Sequence, residues 1–389
     1  MPTKLGFVWS PVLFLLGGAA WGCTFYTSCP TAAEGANGNG SMAGTGNTSI
    51  AGAGNATVSG EAPPGEWTIA TPDLSGIENS CGPLAYMSVR PDRDEVLAGI
   101  AGIGLWSSAD GGASWQPLAE GKGSAQVTNQ ANQIVYDPAD PQTFWEAGSY
   151  GPGAFQTENG GQTFRQLGDI THLDSISVDF SDPQRSTLLT SAHEQQLVLK
   201  SVDGGETWED TSSGIPAYSK HCRYSQIVDS STFLLSCGGW FDSGRPATFR
   251  STDAGQTWTE VYDNGGGAAP LVHSDGSIYW ADEFNGGLAR STDQGATWTR
   301  VVTQTLMSVQ PVELPDGRIA SLTESEVVTS ADSGVTWKKA SQPLPFKPVG
   351  FVYSSFQKAF FIFYFACHAE PTPAAGDEIM RFDFDFEWY

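Results

Sequence analysis

Basic side chains are scarce in this chain: 19 Lys and Arg stand against 43 Asp and Glu, a formal net charge of −24. Such a surface repels phosphate backbones and anionic headgroups, so nucleic acid is not an expected partner. Only 16% of residues are charged, and much of the acid is Asp in turn-like runs, so charge alone names no partner. Histidine is rarer, with five copies. His193-Glu194 has no second His at helical spacing, and the six cysteines lack zinc-site spacing, so no metal centre is expected. The 46 glycines form no phosphate loop that follows a strand and opens a helix, and no cofactor is expected. Helical periodicity of useful length is missing altogether.

What the chain does contain is a repeat. Residues 251–258 read S-T-D-A-G-Q-T-W, and close copies lie at 108–115, 201–208, 291–298 and 330–337, with a looser one, T-E-N-G-G-Q-T-F, at 157–164. The acidic or amide position falls at Asp110, Asn159, Asp203, Asp253, Asp293 and Asp332, at intervals of 49, 44, 50, 40 and 39 residues. A repeat of that period is one supersecondary unit used many times. Asp bonds its own backbone and Gly takes positive φ, so each copy is a turn. A β-rich run precedes it and alternating residues follow it, which is a hairpin pattern. The length of 389 residues would allow two or three domains, but the repeat argues for one large β domain.

The S-x-D-x-G-x-T-W pattern resembles the Asp-box, or bacterial neuraminidase, repeat of sialidases, xyloglucanase-type glycosidases, sortilins and a photosystem II assembly factor. That resemblance spans roughly residues 66–389 and implies a β-propeller. The six Asp-box positions then have a structural role, since a catalytic group is needed once and not in every unit.

Four strands fit each unit. In the first they are 85–89, 96–100, 104–108 and 115–118; in the second, 133–136, 143–148, 153–157 and 164–167. Inner strands follow near 175–178, 225–228, 270–273 and 309–313. Four-stranded units at this period make an all-β, single β-propeller. Residues 349–363 and 378–388 read as three more strands without a box, and 66–69 as an outer strand that joins them. The expectation is seven blades closed by that N-terminal strand, with six as the alternative.

Residues 1–22 carry Lys4 and a short apolar run, which suits a signal peptide. Ala19-Ala20-Trp21-Gly22-Cys23 looks like a bacterial lipoprotein site, with Cys23 as the lipidated residue. Residues 23–65 are rich in Gly, Ala, Asn and Ser and are expected to be a disordered tether. Cys222 and Cys237 fall in adjacent strands, and ring closure would bring Cys81 near Cys367, so two disulfides are possible in an exported protein without the connectivity being fixed.

Propeller topology sorts the remaining residues. Every box lies on the bottom face. Loops between blades, and between second and third strands, lie on top. His172, His193, His221 and His368 fall on top; His273 falls on the bottom. Near the top histidines lie Arg223, Tyr224, Trp240, Asp242, Arg245 and Glu283, which with His172, His193 and His221 make a candidate ligand-binding sector. Asp174, Glu194 and Asp282 are the candidate catalytic carboxylates. A sialidase requires three converging arginines, but Arg90, Arg93 and Arg185 map to bottom turns. The expected function is a non-catalytic, glycan- or protein-binding module of a bacterial envelope, monomeric and either secreted or lipid-anchored. The alternatives are a glycoside hydrolase acting through top-face carboxylates and an assembly factor similar to the photosystem one.

Overall fold

Each repeat folds into a four-stranded antiparallel blade, and seven such blades form the propeller, one of them extended by a fifth strand. The computed structural model describes residues 57–71, 84–121, 123–238, 244–283, 286–303, 306–364 and 378–386. Regular structure among them is β apart from two 3-10 turns, Leu118–Gly121 and Ser124–Gln126. Blade one comprises Leu84–Val89, Val96–Ile100, Gly104–Ser108 and Gln116–Pro117, in order from inner to outer. Blades two to six repeat that order from inner strands Gln130–Tyr136, Leu173–Val178, His221–Ile227, Leu271–Val272 and Val312–Glu313. The inner strands of blades seven, one, two, three and four lie side by side around the centre.

Both ends of the domain build blade seven. Gly350–Ser354, Ala359–Phe363 and Ile379–Asp383 take Thr68–Ile69 as a fourth strand, with Thr68 opposite Arg381 and Ile69 opposite Met380. The ring therefore has seven blades, closed by the N-terminal strand. This blade lacks the repeated turn and is held by aromatic packing instead: Phe351, Tyr353, Phe360, Phe382 and Phe384 share one cluster, and Trp67 stacks 5.2 Å from Phe382. The end of the segment expected as a tether also meets the ring. Val58–Ser59 runs parallel to Trp337–Lys339 as a fifth strand of blade six, and Gln342 Nε2 donates to the Pro63 carbonyl at 2.7 Å. Val58 packs beside Trp337, a single apolar anchor that the segment's average composition hides. The leader, Cys23, Cys81 and Cys367 lie outside the described residues.

The six repeated turns share one hydrogen-bond pattern. In blade four Ser251 Oγ donates to Asp253 Oδ1 (2.8 Å) and accepts from Gly255 N (2.8 Å), while Thr257 donates through N to Oδ1 (2.8 Å) and through Oγ1 to Oδ2 (2.6 Å). Asp110, Asp203, Asp293 and Asp332 repeat these bonds, and Asn159 matches them with its amide donating to Thr163. Two successive residues take positive φ, such as Ala254 (57°) and Gly255 (84°). The hydroxyls and both oxygens of the Asp are thereby paired within the turn, and a further N–H, such as that of Ala254, bonds to the neighbouring Ser231 carbonyl.

Candidate functional site

The inner strands of blades one to four carry the same irregularity. Register shifts between Leu84 and Tyr86, Ala131 and Gln133, Leu173 and Ser175, and Cys222 and Tyr224. One extra residue sits in each: Ala85, Asn132, Asp174 and Arg223. A bulge bends its strand and re-aims the side chain. Asp174 and Arg223 are therefore placed by strands, not by the top loops on which the sequence puts them. Neighbouring blades are tied at this level. Asn132 Nδ2 donates to the Leu173 carbonyl (2.9 Å) and Ser191 Oγ to that of Arg223 (2.6 Å); within blade three, His193 N donates to the His172 carbonyl (2.6 Å).

At this end His193 is the hub. Its Nδ1 lies 2.7 Å from Asp174 Oδ1, its Nε2 3.1 Å from the Tyr150 hydroxyl and 3.6 Å from Glu194 Oε1. Burial works against the imidazolium, but the bond and charge of Asp174 prevail and hold its pKa above the ordinary value. Tyr150 N donates to His172 Nδ1 at 3.2 Å, and the Tyr150 ring meets those of His172 and His193 edge-on at 5.7 and 5.0 Å. Three residues here adopt left-handed backbone without being glycine: Tyr150 (55°), His172 (55°) and Glu194 (58°). Such conformations persist where the surrounding structure imposes them, and they cluster at functional sites.

Arg223 follows in blade four. Its Nη2 donates to the Tyr224 hydroxyl at 3.3 Å, with the guanidinium 5.1 Å from that ring. Burial disfavours its charge, while Tyr224, Asp174 and Glu283 favour it, and its pKa rises. Glu283, half-buried, reaches in from blade five. Its two oxygens are buried without a hydrogen-bond partner, and burial pushes its pKa up to about 7 against the opposing charge of Arg223. Asp174 Oδ2 and His221 Nδ1 are likewise buried and unpartnered.

Other candidates stand apart. Asp282 is buried, and its oxygens accept from Arg300 Nε (2.7 Å) and Tyr262 (3.1 Å), so it serves the blade rather than offering a free acid. Arg245 lies toward the outer edge of blade four, paired with Glu260 and stacked 4.5 Å from Tyr218. Tyr224, partly buried, packs against the cluster of Leu234, Ile278 and Trp280. Trp240, Asp242 and His368 lie outside the described residues. Cys222 and Cys237 form a disulfide between facing strand positions beside Arg223. Arg90, Arg93 and Arg185 pair with Asp92, Glu95 and Asp137 at the bottom, so among the described residues no arginine triad forms at the mouth. No group of three or more His, Cys, Asp or Glu suited to a metal occurs among the described residues. Tyr150 is the residue that sequence reasoning missed. Its signal was position: it occupies the second-to-third-strand loop of blade two, the counterpart of His193-Glu194 in blade three.

No family model matches the chain, and no curated protein matches it. Solved structures share its fold. YCF48 bound to a D1 peptide superposes with a TM-score of 0.54 at 14% identity, over 84% of this chain and 99% of that one. The WD40 repeats of RRP9 give 0.54 at 9% identity, over 82% and 100%. An ancestral GH74 enzyme gives 0.51 at 12% identity over 77% of this chain, which spans 47% of the enzyme's length. At these identities the likeness shows a β-propeller and nothing finer.

Proposed function

We propose that this chain is a binding module that engages a partner, a polypeptide before a glycan, at the mouth over blades two to five. The observation that carries this reading is the convergence of three left-handed, non-glycine residues, Tyr150, His172 and Glu194, around the His193–Asp174 pair. Strain held in place by neighbouring strands is retained for what the side chains do. The fold accommodates a peptide in one neighbour and a GH74 enzyme in another, so the choice rests on these side chains. A peptide-binding assembly role falls within the same reading. Because Asp174 raises the His193 pKa and Glu283 titrates near 7, affinity changes between about pH 5 and 8. The test is to screen peptide and glycan arrays with the intact protein and with Tyr150→Ala and His193→Ala variants. Ligands lost in both variants, with thermal stability kept, support the reading; ligands indifferent to both overturn it.

A second reading, a glycoside hydrolase, draws on one observation: Glu283 is an unpartnered carboxyl with a pKa near 7, suited to a general acid. Turnover of a glycan that disappears in Glu283→Gln while binding persists would establish it. We further propose that the protein works outside the cell, held by a lipid on Cys23. Cys23→Ser should then leave the membrane fraction.

A further inference from the structure

We propose that the mouth recognises a primary ammonium on a slender stem, the side chain of an exposed lysine in a partner polypeptide, with Glu283 and Asp174 as its acceptors. This rests on the reading of the mouth as a binding site and gives that site its ligand chemistry.

The acceptors are built, buried and left without donors. Asp174 is 3% exposed, and its Oδ2 has no hydrogen-bond partner. Neither oxygen of Glu283 has one. Buried acceptors without donors are uncommon in native proteins and costly to keep. The backbone around Glu283 is pinned all the same: its N–H donates to the Gly265 carbonyl at 2.8 Å, and Ser308 Oγ donates to its carbonyl at 3.1 Å. Its carboxylate rests over Gly238, where a Cβ would lie 1.8 Å from Oε2. The fold has thus removed a side chain to seat this carboxylate and supplied no donor to it.

Ionised, as a bound cation would hold them, both carboxylates only accept, and they call for a donor-only ligand. An ammonium brings three N–H donors and no lone pair, whereas a sugar hydroxyl brings lone pairs that these carboxylates cannot use. Depth favours lysine: a compact charge on a four-carbon stem can reach a carboxylate as enclosed as Asp174, where a sugar ring bearing its amine directly cannot. The approach is lined with rings. Tyr150, 60% exposed, stands against His172 and His193 and offers apolar wall to a methylene stem. Both carboxylates favour the charge of Arg223, so a bound ammonium shares them with that guanidinium. The net charge of −24 draws such a partner in, more strongly at low salt.

The test is a peptide array in which every lysine is presented both free and acetylated, followed by calorimetry of the best peptide against the intact protein, Glu283→Gln and Asp174→Asn. A glucosamine tetramer is the competing probe. The expected result is that acetylation, and each substitution, weakens binding by about tenfold or more while Tm is kept. Peptides that bind equally well when acetylated, yet are lost in Tyr150→Ala, leave a binding mouth but overturn lysine recognition. Binding of the glucosamine tetramer in a Glu283-dependent way, with no peptide bound, moves the ammonium to an amino sugar and also overturns it. Ligands indifferent to Tyr150, His193 and Glu283 alike overturn both this inference and the reading beneath it.

Discussion

The bottom turns and the mouth hold the same kind of side chain in opposite conditions. At the bottom, hydrogen bonds from Thr207 and Thr257 lead in holding Asp203 and Asp253 down at about 2. Both oxygens of each carboxylate are used within the turn. Toward the mouth and between the inner strands, burial pushes Glu283 up to about 7 and Glu146 up to about 8, and each has at least one buried oxygen without a donor. The chain saturates a carboxylate where it needs a turn and leaves one open where no turn requires it. The acids that repeat are used up within their turns, and those left without donors are the candidates for function.

The hardest way to break this comparison is to disable a turn without touching its acid. Ser251 is 1% exposed, and its Oγ accepts the buried Gly255 N–H and donates to Asp253. Ser251→Ala leaves that N–H without a partner and should cost about 1–3 kcal/mol, read by urea unfolding. Ligand binding by the folded fraction should be unchanged. Should the variant keep full stability, or fold well and lose binding, the bottom turns are not architectural.

Much of this division is legible in the sequence, and the limits are physical. The turn repeats because its hydrogen bonds are local, so S-x-D-x-G-x-T-W marks six of the seven units and their hairpins, and blade seven shows only as strands. Strand 96–100 is read to the residue as Val96–Ile100, since a strand buried on both faces is a plain apolar run. Inner strands are read late: 133, 175 and 225 are the expected starts, where the structure begins at Gln130, Leu173 and His221. The cause is the bulge at Asn132, Asp174 and Arg223, which breaks the period of two on which the reading depends. The same irregularity that hides these strand starts is what positions Asp174 and Arg223. Tyr150 is marked only by its loop position, because one exposed ring in a glycine-rich loop carries no motif. The partners of Asp282 come from distant positions, Tyr262 and Arg300, which no local motif reports.

A smaller effect separates the two sets of carboxylates by pH. Asp203 and Asp253 are depressed from 3.8 to about 2, so what they contribute to stability is present above about pH 4 and lost as pH falls toward 2. Glu146 is raised from 4.5 to about 8, chiefly by burial against a bond from Asn129 Nδ2 at 3.1 Å. The folded state holds that proton more tightly, so its advantage is present in acid and lost as pH rises from about 4.5 to about 8. Stability measured by urea unfolding should therefore peak near pH 4–5 and decline toward 8. Glu146→Gln keeps an acceptor for Asn129, removes the titration and should flatten the alkaline limb. Stability that climbs from pH 5 to 8 would show Glu146 ionised in the fold and remove the contrast.

The smallest expected effect is the sharpest, because it applies one substitution to both faces. Left-handed backbone occurs at the same position in all six repeated turns: glycine fills it at Gly111, Gly160 and Gly204, but Ala254, Gln294 and Ser333 take φ of 57°, 58° and 62°. A side chain in that region costs about 1–2 kcal/mol, and glycine relieves it while giving back about 0.5–1 kcal/mol in unfolded-chain entropy. Ala254→Gly should thus raise stability by about 0.5 kcal/mol and leave binding alone, since three turns already carry glycine there. Glu194, at 58°, is strained in the same way, beside His193 at the mouth. Glu194→Gly should give a similar gain in stability and lose affinity for whatever the mouth binds. Equal gains with affinity untouched in both variants would make the mouth's strain as incidental as the turn's. Gain at 254 with loss of affinity at 194 would show that the strained backbone at the mouth is kept for the side chains it presents.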